Sequence, residues 1–385
     1  MNDYIARLDR ALDWSWLPQI VRLTLDQALA IQQIPAPTFF EQARAAYVLR
    51  QFTDQGLANC TVDSVHNVYG LLPGTNPDLP ALLIIAHTDT VFPLETDLQT
   101  RQEGGVIFGP GLGDNSVGVG GMLGLLAALR QQNLRVERDI WFVATTGEEG
   151  LGDLNGVKAA FARLKSRAGS VINLEGLAFG HIYHAGIAVR RLHITASAEG
   201  GHSWLHFGHS SAVHGIVKLG AHITDLKPPQ TPRTTFNIGQ IEGGQGINVI
   251  GREAGLWLDL RSEDPAALAA LEQQVLALLH QLETPDLRFS VEVVGDRPAG
   301  RIAPDHPLVR SALAALEQQA VKGTLETGST DANVPLAAGV PAVTIGITRG
   351  GNAHRHDEYI ETAPIENGMR QLILLTLAVG GYRGR

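Results

Sequence analysis

Residues 81–90, ALLIIAHTDT, and 139–150, DIWFVATTGEEG, decide the fold. Each is a continuous apolar run that stops abruptly at polar residues, the pattern of a strand buried on both faces. Between them MLGLLAALRQQ (122–132) is helical in character, and VKAAFARLK (157–165) and SVINLEG (170–176) follow. Strand, helix, strand, helix, strand predicts a largely parallel sheet covered by helices on both faces. From 188 to 298 the character changes. There, alternating strands such as AVRRLHITASA and GLWLDLRSE surround helical segments that include ALAALEQQVLALLHQLE (267–283). The first pattern then resumes in PLVRSALAALEQQA (307–320), PAVTIGI (341–347) and ENGMRQLILLTLAVGG (366–381). The expected organisation is an α/β domain with a mixed, mostly parallel sheet, split into 1–187 and 299–385, holding an inserted α+β domain at 188–298.

Composition narrows the chemistry. The 385 residues carry 39 acidic against 30 basic side chains, a formal charge of -9, so no nucleic-acid partner is expected. With 18% charged and 44% hydrophobic residues the chain is an ordinary folded globule. Cys60 is the single cysteine, which excludes an intramolecular disulfide, a thiolate zinc site and an iron–sulfur cluster. Any metal must therefore sit on carboxylates and on members of the set of 14 histidines. The first twenty residues, MNDYIARLDRALDWSWLPQI, read as an amphipathic helix rather than a signal peptide. The apolar runs at 81–86 and 140–146 are far shorter than the ~20 residues of a membrane span, so a cytoplasmic protein without a membrane partner is expected.

Ligands of open α/β sheets bind beyond the carboxyl ends of the strands, so the polar residues that end each apolar run are the candidates. After ALLIIA come His87 and Asp89, two apart and on one side of an extended chain, where a carboxylate can steer an imidazole. A strand-end turn explains them equally well. GPGLGDNSVGVGG (109–121) puts Asp114 in a glycine-rich turn before a helix. Its spacing matches no phosphate loop and its aspartate would repel a pyrophosphate, which leaves a cation site or an ordinary helix N-cap. Glu148 and Glu149 follow IWFVATT. Adjacent side chains diverge, so one can bind a metal while the other reaches its water; alternatively both sit in the first turn of a helix. Glu175 follows SVINL, and GGNAHRHDEYIE (350–361) supplies His354 and His356. Carboxylates and imidazoles without thiolates are the ligand set of an open catalytic zinc, cobalt or manganese site.

Taken in order, HTDT, GPGLGDN, TTGEEG, NLEG and the His354 loop resemble the zinc-dependent exopeptidases that include peptidase T, glutamate carboxypeptidase and acetylornithine deacetylase. HTDTVFP, GEEGLGDL, GGHSW, TTFNIG, GSTDANVP and GVPAVTIG are most similar to the peptidase T-like and glutamate carboxypeptidase-like members. The resemblance implies two divalent ions, zinc by preference. His87 and Glu175 would hold one, Glu149 and His354 the other, and Asp114 would bridge them. Asp89 would orient His87, and Glu148 would be the general base. His354 is preferred to His356 because the family ligand lies four positions before a glutamate, here Glu358. The resemblance also implies a cis peptide between Asp114 and Asn115. The inserted segment would be a lid and dimerisation domain, whose His202 reaches across a homodimer to steady the oxyanion. Asn248, Arg261 and Arg297 would handle the substrate carboxylate or the oxyanion. An independent metal pair at His202 and His206, four apart, is disfavoured by the absence of an HExxH pattern.

The implied activity is metal-dependent hydrolysis of an amide bond in small peptides, by an aminopeptidase or carboxypeptidase, or in N-acyl amino acids. The chain has no GxSxG for a serine hydrolase and no dinucleotide glycine pattern. A non-catalytic relative that binds peptide or metal in a regulatory or assembly role is the competing reading.

Overall fold

A computed structural model describes residues 2–383. By contact density the chain forms two compact units, one running to Gly186 and resuming at Gly300, the other Ile187–Ala299. The first unit is built on a nine-stranded mixed sheet. Its centre is parallel: Ile140–Thr145, Ala81–His87, Ala168–Leu174 and Ala342–Ile345 lie side by side in that order. Antiparallel strands flank them, including Val68–Leu72 on one side and His181–Gly186 on the other. Every residue of Ala81–His87 and Ile140–Thr145 is buried, as expected for strands that helices cover on both faces.

Each face has its own apolar core. Leu82, Ile84, Phe142 and Ile172 point to the face covered by the helices Leu17–Gln32, Val117–Gln131 and Pro364–Gly380. Leu83, Val143 and Val171 point to the other, beneath Asn155–Leu164 and Asn333–Ala337. The stretch Leu112–Gln131 is long and apolar enough to cross a membrane, but 94% of its most apolar 18 residues are buried inside the protein, as in a core helix. Its glycines allow close packing: a Cβ on Gly120 would lie 2.7 Å from the Thr24 carbonyl oxygen, and one on Gly124 would lie 2.1 Å from Thr24 Oγ1.

The N-terminal stretch that reads as one amphipathic helix is instead two, Asn2–Ala11 and Leu17–Gln32. Asp13 breaks the run by accepting the backbone N–H and the hydroxyl of Ser15, an alternative to helical bonding that short polar side chains offer. The Pro18 ring then suits the first turn of the second helix.

In the unit Ile187–Ala299 a four-stranded antiparallel sheet runs in the order Thr234–Gly243, Glu253–Ser262, Ala188–Ala198, Leu287–Arg297. The helices Ala212–Thr224 and Pro265–Leu282 cover one face, over Leu192, Ile194, Leu256, Leu258 and Leu260. The alternation of these leucines with Arg191, His193, Trp257 and Asp259 is the period of two that a half-buried sheet requires.

Candidate metal centre

The ends of the central parallel strands converge on one group of side chains. His87 is the last residue of Ala81–His87 and is 1% exposed. Its Nδ1 lies 3.4 Å from Asp89 Oδ1, and its Nε2 faces Asp114 Oδ1 at 3.2 Å and Glu175 Oε2 at 3.5 Å. That buried Nε2 makes no hydrogen bond. Burial alone would depress the imidazole, but the carboxylates of Glu175, Asp114 and Asp89 together push its pKa well above the ordinary value.

Asp89 is fully buried and anchors the neighbouring loop. Its Oδ1 accepts the Glu148 N–H at 3.0 Å, and its Oδ2 accepts the Glu149 N–H and the Thr38 hydroxyl, each at 2.9 Å. These bonds and His87 outweigh burial and hold the Asp89 carboxyl below its ordinary range. Gly147, at φ 61°, turns the chain between the strand and the two glutamates, a conformation that suits glycine. Glu148 and Glu149 are not in the first turn of a helix. Glu149 is extended, a short 3₁₀ turn Gly150–Gly152 follows, and the helix starts only at Asn155.

Asp114 sits in an irregular turn, Leu112–Ser116, ahead of the helix Val117–Gln131, and the Asp114–Asn115 peptide is cis. It does not cap that helix. Its Oδ1 faces His87, and its Oδ2 lies 3.1 Å from His354 Nε2. Burial would raise its pKa, yet the hydrogen bond from His354 and the His87 ring facing it hold it well below the usual carboxylate range. Asn115 fastens this turn to the Glu175 loop: its Nδ2 donates to Leu174 O and its Oδ1 accepts from Gly176 N.

A small antiparallel sheet delivers His354. The strands Gly350–Gly351 and Tyr359–Glu361 bracket its loop, and Tyr359–Glu361 pairs with Val106–Phe108. His354 adopts φ 67°, uncommon outside glycine, and its Nε2 lies 3.1 Å from both Asp114 Oδ2 and Glu149 Oε1. Those two bonds raise its pKa to about 10. His356 lies elsewhere, its ring 5.7 Å from that of Phe92. Glu358 ties the loop down from beneath, with Oε1 accepting the N–H groups of Gly113 at 2.6 Å and Asp114 at 3.0 Å.

The donor set fits divalent ions. Ligand atoms of His87, Asp114 and Glu149 all lie within 4.8 Å of one another, with Glu175 and His354 against them. Buried carboxylates this close repel one another unless a cation or a proton offsets them. The raised pKa values of the His87 and His354 rings reflect that need, and a divalent ion would meet it with the rings as neutral donors.

Sequence reasoning passed over Thr38, Glu41, Arg44, Asn173 and the anchoring roles of Asn115 and Glu358. Thr38, Glu41 and Arg44 come from a segment some fifty residues before His87 with no motif of its own. Asn173 follows the apolar run of its strand and donates to Glu175 Oε1 at 3.3 Å.

The remaining candidates lie in the unit Ile187–Ala299. His202 pairs with Val249 in a two-residue ladder, and Ser203 N donates to Asn248 O, so His202 and Asn248 are neighbours. His202 and His206 do not form a helical metal pair. They close a turn, His202 Nδ1 accepting from Trp204 N and His206 Nδ1 from His202 N. Arg261 and Arg297 both pair with Val189, one from each side, on the row facing away from the helices. Arg261 Nε donates to Asp259 at 2.6 Å, while Arg297 is 4% exposed.

Three comparisons bear on this arrangement. The chain is 25% identical over 343 residues to succinyl-diaminopimelate desuccinylase of Corynebacterium glutamicum, covering 84% of this chain and 88% of that one. Its fold matches a tripeptidase from Staphylococcus aureus with a TM-score of 0.78 at 21% identity, over 94% and 98% of the two chains. It also matches the YXEP protein of Bacillus subtilis, a dinuclear metal binding peptidase, with a TM-score of 0.66 at 14% identity, over 95% and 99%. Residues 83–377 match the model of peptidase family M20/M25/M40, a span that contains every side chain of the centre except the supporting segment around Thr38, and the chain therefore belongs to that family of amide-bond hydrolases.

Proposed function

We propose that this chain is a two-metal exopeptidase acting on small peptides, in which His87 and Glu175 hold one ion, Glu149 and His354 the other, and Asp114 both. The observation that carries the reading is the cluster of His87, Asp114 and Glu149, with Glu175 against His87 and His354 against Asp114 and Glu149. When bound, the ions supply Lewis acidity, polarising the scissile carbonyl and acidifying a water. The chain's own residues do the rest. Asp89 fixes the His87 ring and, through two backbone N–H groups, the direction of the Glu148 and Glu149 side chains. Glu148, 7% exposed beside the cage, takes the proton of the attacking water and passes it to the leaving amine nitrogen. Zinc is the proposed ion because the donors are imidazole and carboxylate. The lone Cys60 suits a reducing cytoplasm.

His202, Asn248, Arg261 and Arg297 complete the proposal as groups that receive the oxyanion and the substrate carboxylate, His202 from the partner of a homodimer. Trp204 and Phe207, 83% and 91% exposed on the His202 loop, support a surface that a second copy covers. Arginine suits a carboxylate because its planar fork pairs with both oxygens. Deacylation of N-acyl amino acids is the second reading, favoured by the similarity to a desuccinylase. One screen separates them: di- and tripeptides and N-acyl amino acids incubated with zinc-reconstituted protein, products read by mass spectrometry. Peptide cleavage alone supports the first reading, acyl release alone the second, and no turnover of either class overturns both.

A further inference from the structure

Arg44 is among the largest fully buried side chains, 1% exposed, on the helix Gln42–Asp54. Its Nε donates to Ile34 O and its Nη1 to Thr88 O, both at 2.8 Å. Thr88 lies between His87 and Asp89, so the second bond grips the backbone of the ligand turn itself. No carboxylate of the described residues lies within ion-pair distance of the guanidinium. Asp89, Glu358 and Glu41 act on it from further off, and burial lowers its pKa to about 10, leaving it a cation at neutral pH. The start of the same helix holds the other ligand loop, since Glu41 Oε1 accepts the Gly147 N–H at 3.1 Å. A buried guanidinium with only carbonyl acceptors is costly to desolvate and needs a compensating role.

We infer that Arg44 is a positioning residue of the metal centre, which fixes the His87–Asp89 turn through the Thr88 carbonyl and so sets the affinity of the ion held by His87 and Glu175. The ion held by Glu149 and His354 has anchors outside the turn that Arg44 grips: Glu41 on Gly147 and the Glu358 hairpin. Arginine suits this place because two of its donors point at two carbonyls at once, which a lysine ammonium on a single flexible stem does not reproduce.

The inference rests on the two-metal reading, and the test separates the two. Zinc is titrated calorimetrically into metal-free wild-type protein, R44K and H354A, the last showing which binding step belongs to which ion. Failure of the wild type to bind two ions overturns the two-metal reading. Given two ions, R44K should bind the His87 ion about 10–100-fold more weakly, the range for partners that orient metal ligands, and the other ion within about 2-fold of wild type. A folded R44K that binds both ions as the wild type does, or weakens both equally, overturns the inference. Should R44K not fold, the Arg44 ¹⁵Nε resonance of wild-type protein carries the test. It should shift with the equivalent of zinc that fills the His87 position and stay still through the other; a signal that responds to neither, or equally to both, overturns it.

Discussion

Glu148 and Glu149 are adjacent acids with different surroundings, and the division of labour between them is the sharpest expectation at the scale of single residues. Glu149 Oε1 lies against His354, while Glu148 is buried with its backbone N–H held by Asp89. Replacing Glu148 by Gln keeps the shape and removes the proton acceptor. Turnover should fall by about 10²–10⁴-fold, the usual contribution of a general base, with metal content unchanged by elemental analysis; a variant that keeps its turnover removes Glu148 from the mechanism. Asp331, in the GSTDANVP segment, is a different kind of acid. It is wholly buried, accepts the Thr145 hydroxyl at 2.5 Å, leaves Oδ1 without a partner, and is pushed up to about 7 by burial, from 3.8. The folded state therefore prefers the neutral carboxyl. That stabilisation is complete below the unfolded pKa and is lost as pH rises through about 7. Asp331→Asn keeps the acceptor for Thr145 and abolishes the titration. In metal-free protein, the Tm of the variant relative to wild type should rise by on the order of 2–4 °C between pH 5 and pH 8; a difference that does not vary with pH contradicts the assignment.

At the scale of elements, what was legible followed from periodicity. ALLIIA and IWFVAT announce parallel strands because burial on both faces removes alternation, and the residues that end those strands are the ones that meet. The positions proposed as ligands stood out because each lies at a strand end or in a glycine-rich turn. Their supports did not. Thr38 acts on the Asp89 carboxylate, and Glu41 and Arg44 on a backbone N–H and a carbonyl of distant loops; a polar residue such as Arg44 on an amphipathic helix reads as a solvated one until packing covers it. The His354 hairpin escaped for a related reason: strands of two and three residues carry too little pattern to register, and Glu358 shows its value only when its carboxylate is seen across 245 residues from Gly113. Helix caps lie between these cases. The helix read over 267–283 starts at Pro265, and Asp264, not singled out in the sequence, caps it, with its Oδ1 accepting the N–H groups of Ala266 and Ala267, both at 2.9 Å. Asp264→Ala should cost about 1 kcal/mol of stability in urea unfolding followed by circular dichroism, with zinc affinity unchanged. Unaltered stability would mean that the cap contributes nothing.

At the scale of the whole molecule, the homodimer reading makes a claim about which chain supplies which group. Glu148 and the proposed metal ligands belong to the unit that runs to Gly186 and resumes at Gly300, and His202 belongs to the unit Ile187–Ala299. If His202 serves the partner's centre, an E148Q subunit has a dead centre but a sound histidine to lend, and an H202A subunit has a sound centre but no histidine. Each variant alone should be nearly inactive. In a hybrid dimer, the centre of the H202A subunit receives His202 from the E148Q subunit and is complete. Random exchange makes about half of the dimers hybrids, each with one complete centre of two, so an equimolar mixture should recover about a quarter of wild-type activity after subunit exchange. If His202 serves its own chain, no pairing of the two variants assembles a complete centre and the mixture stays as inactive as its parts. Native mass spectrometry with one variant isotope-labelled shows whether hybrid dimers formed, and activity then decides between the two arrangements.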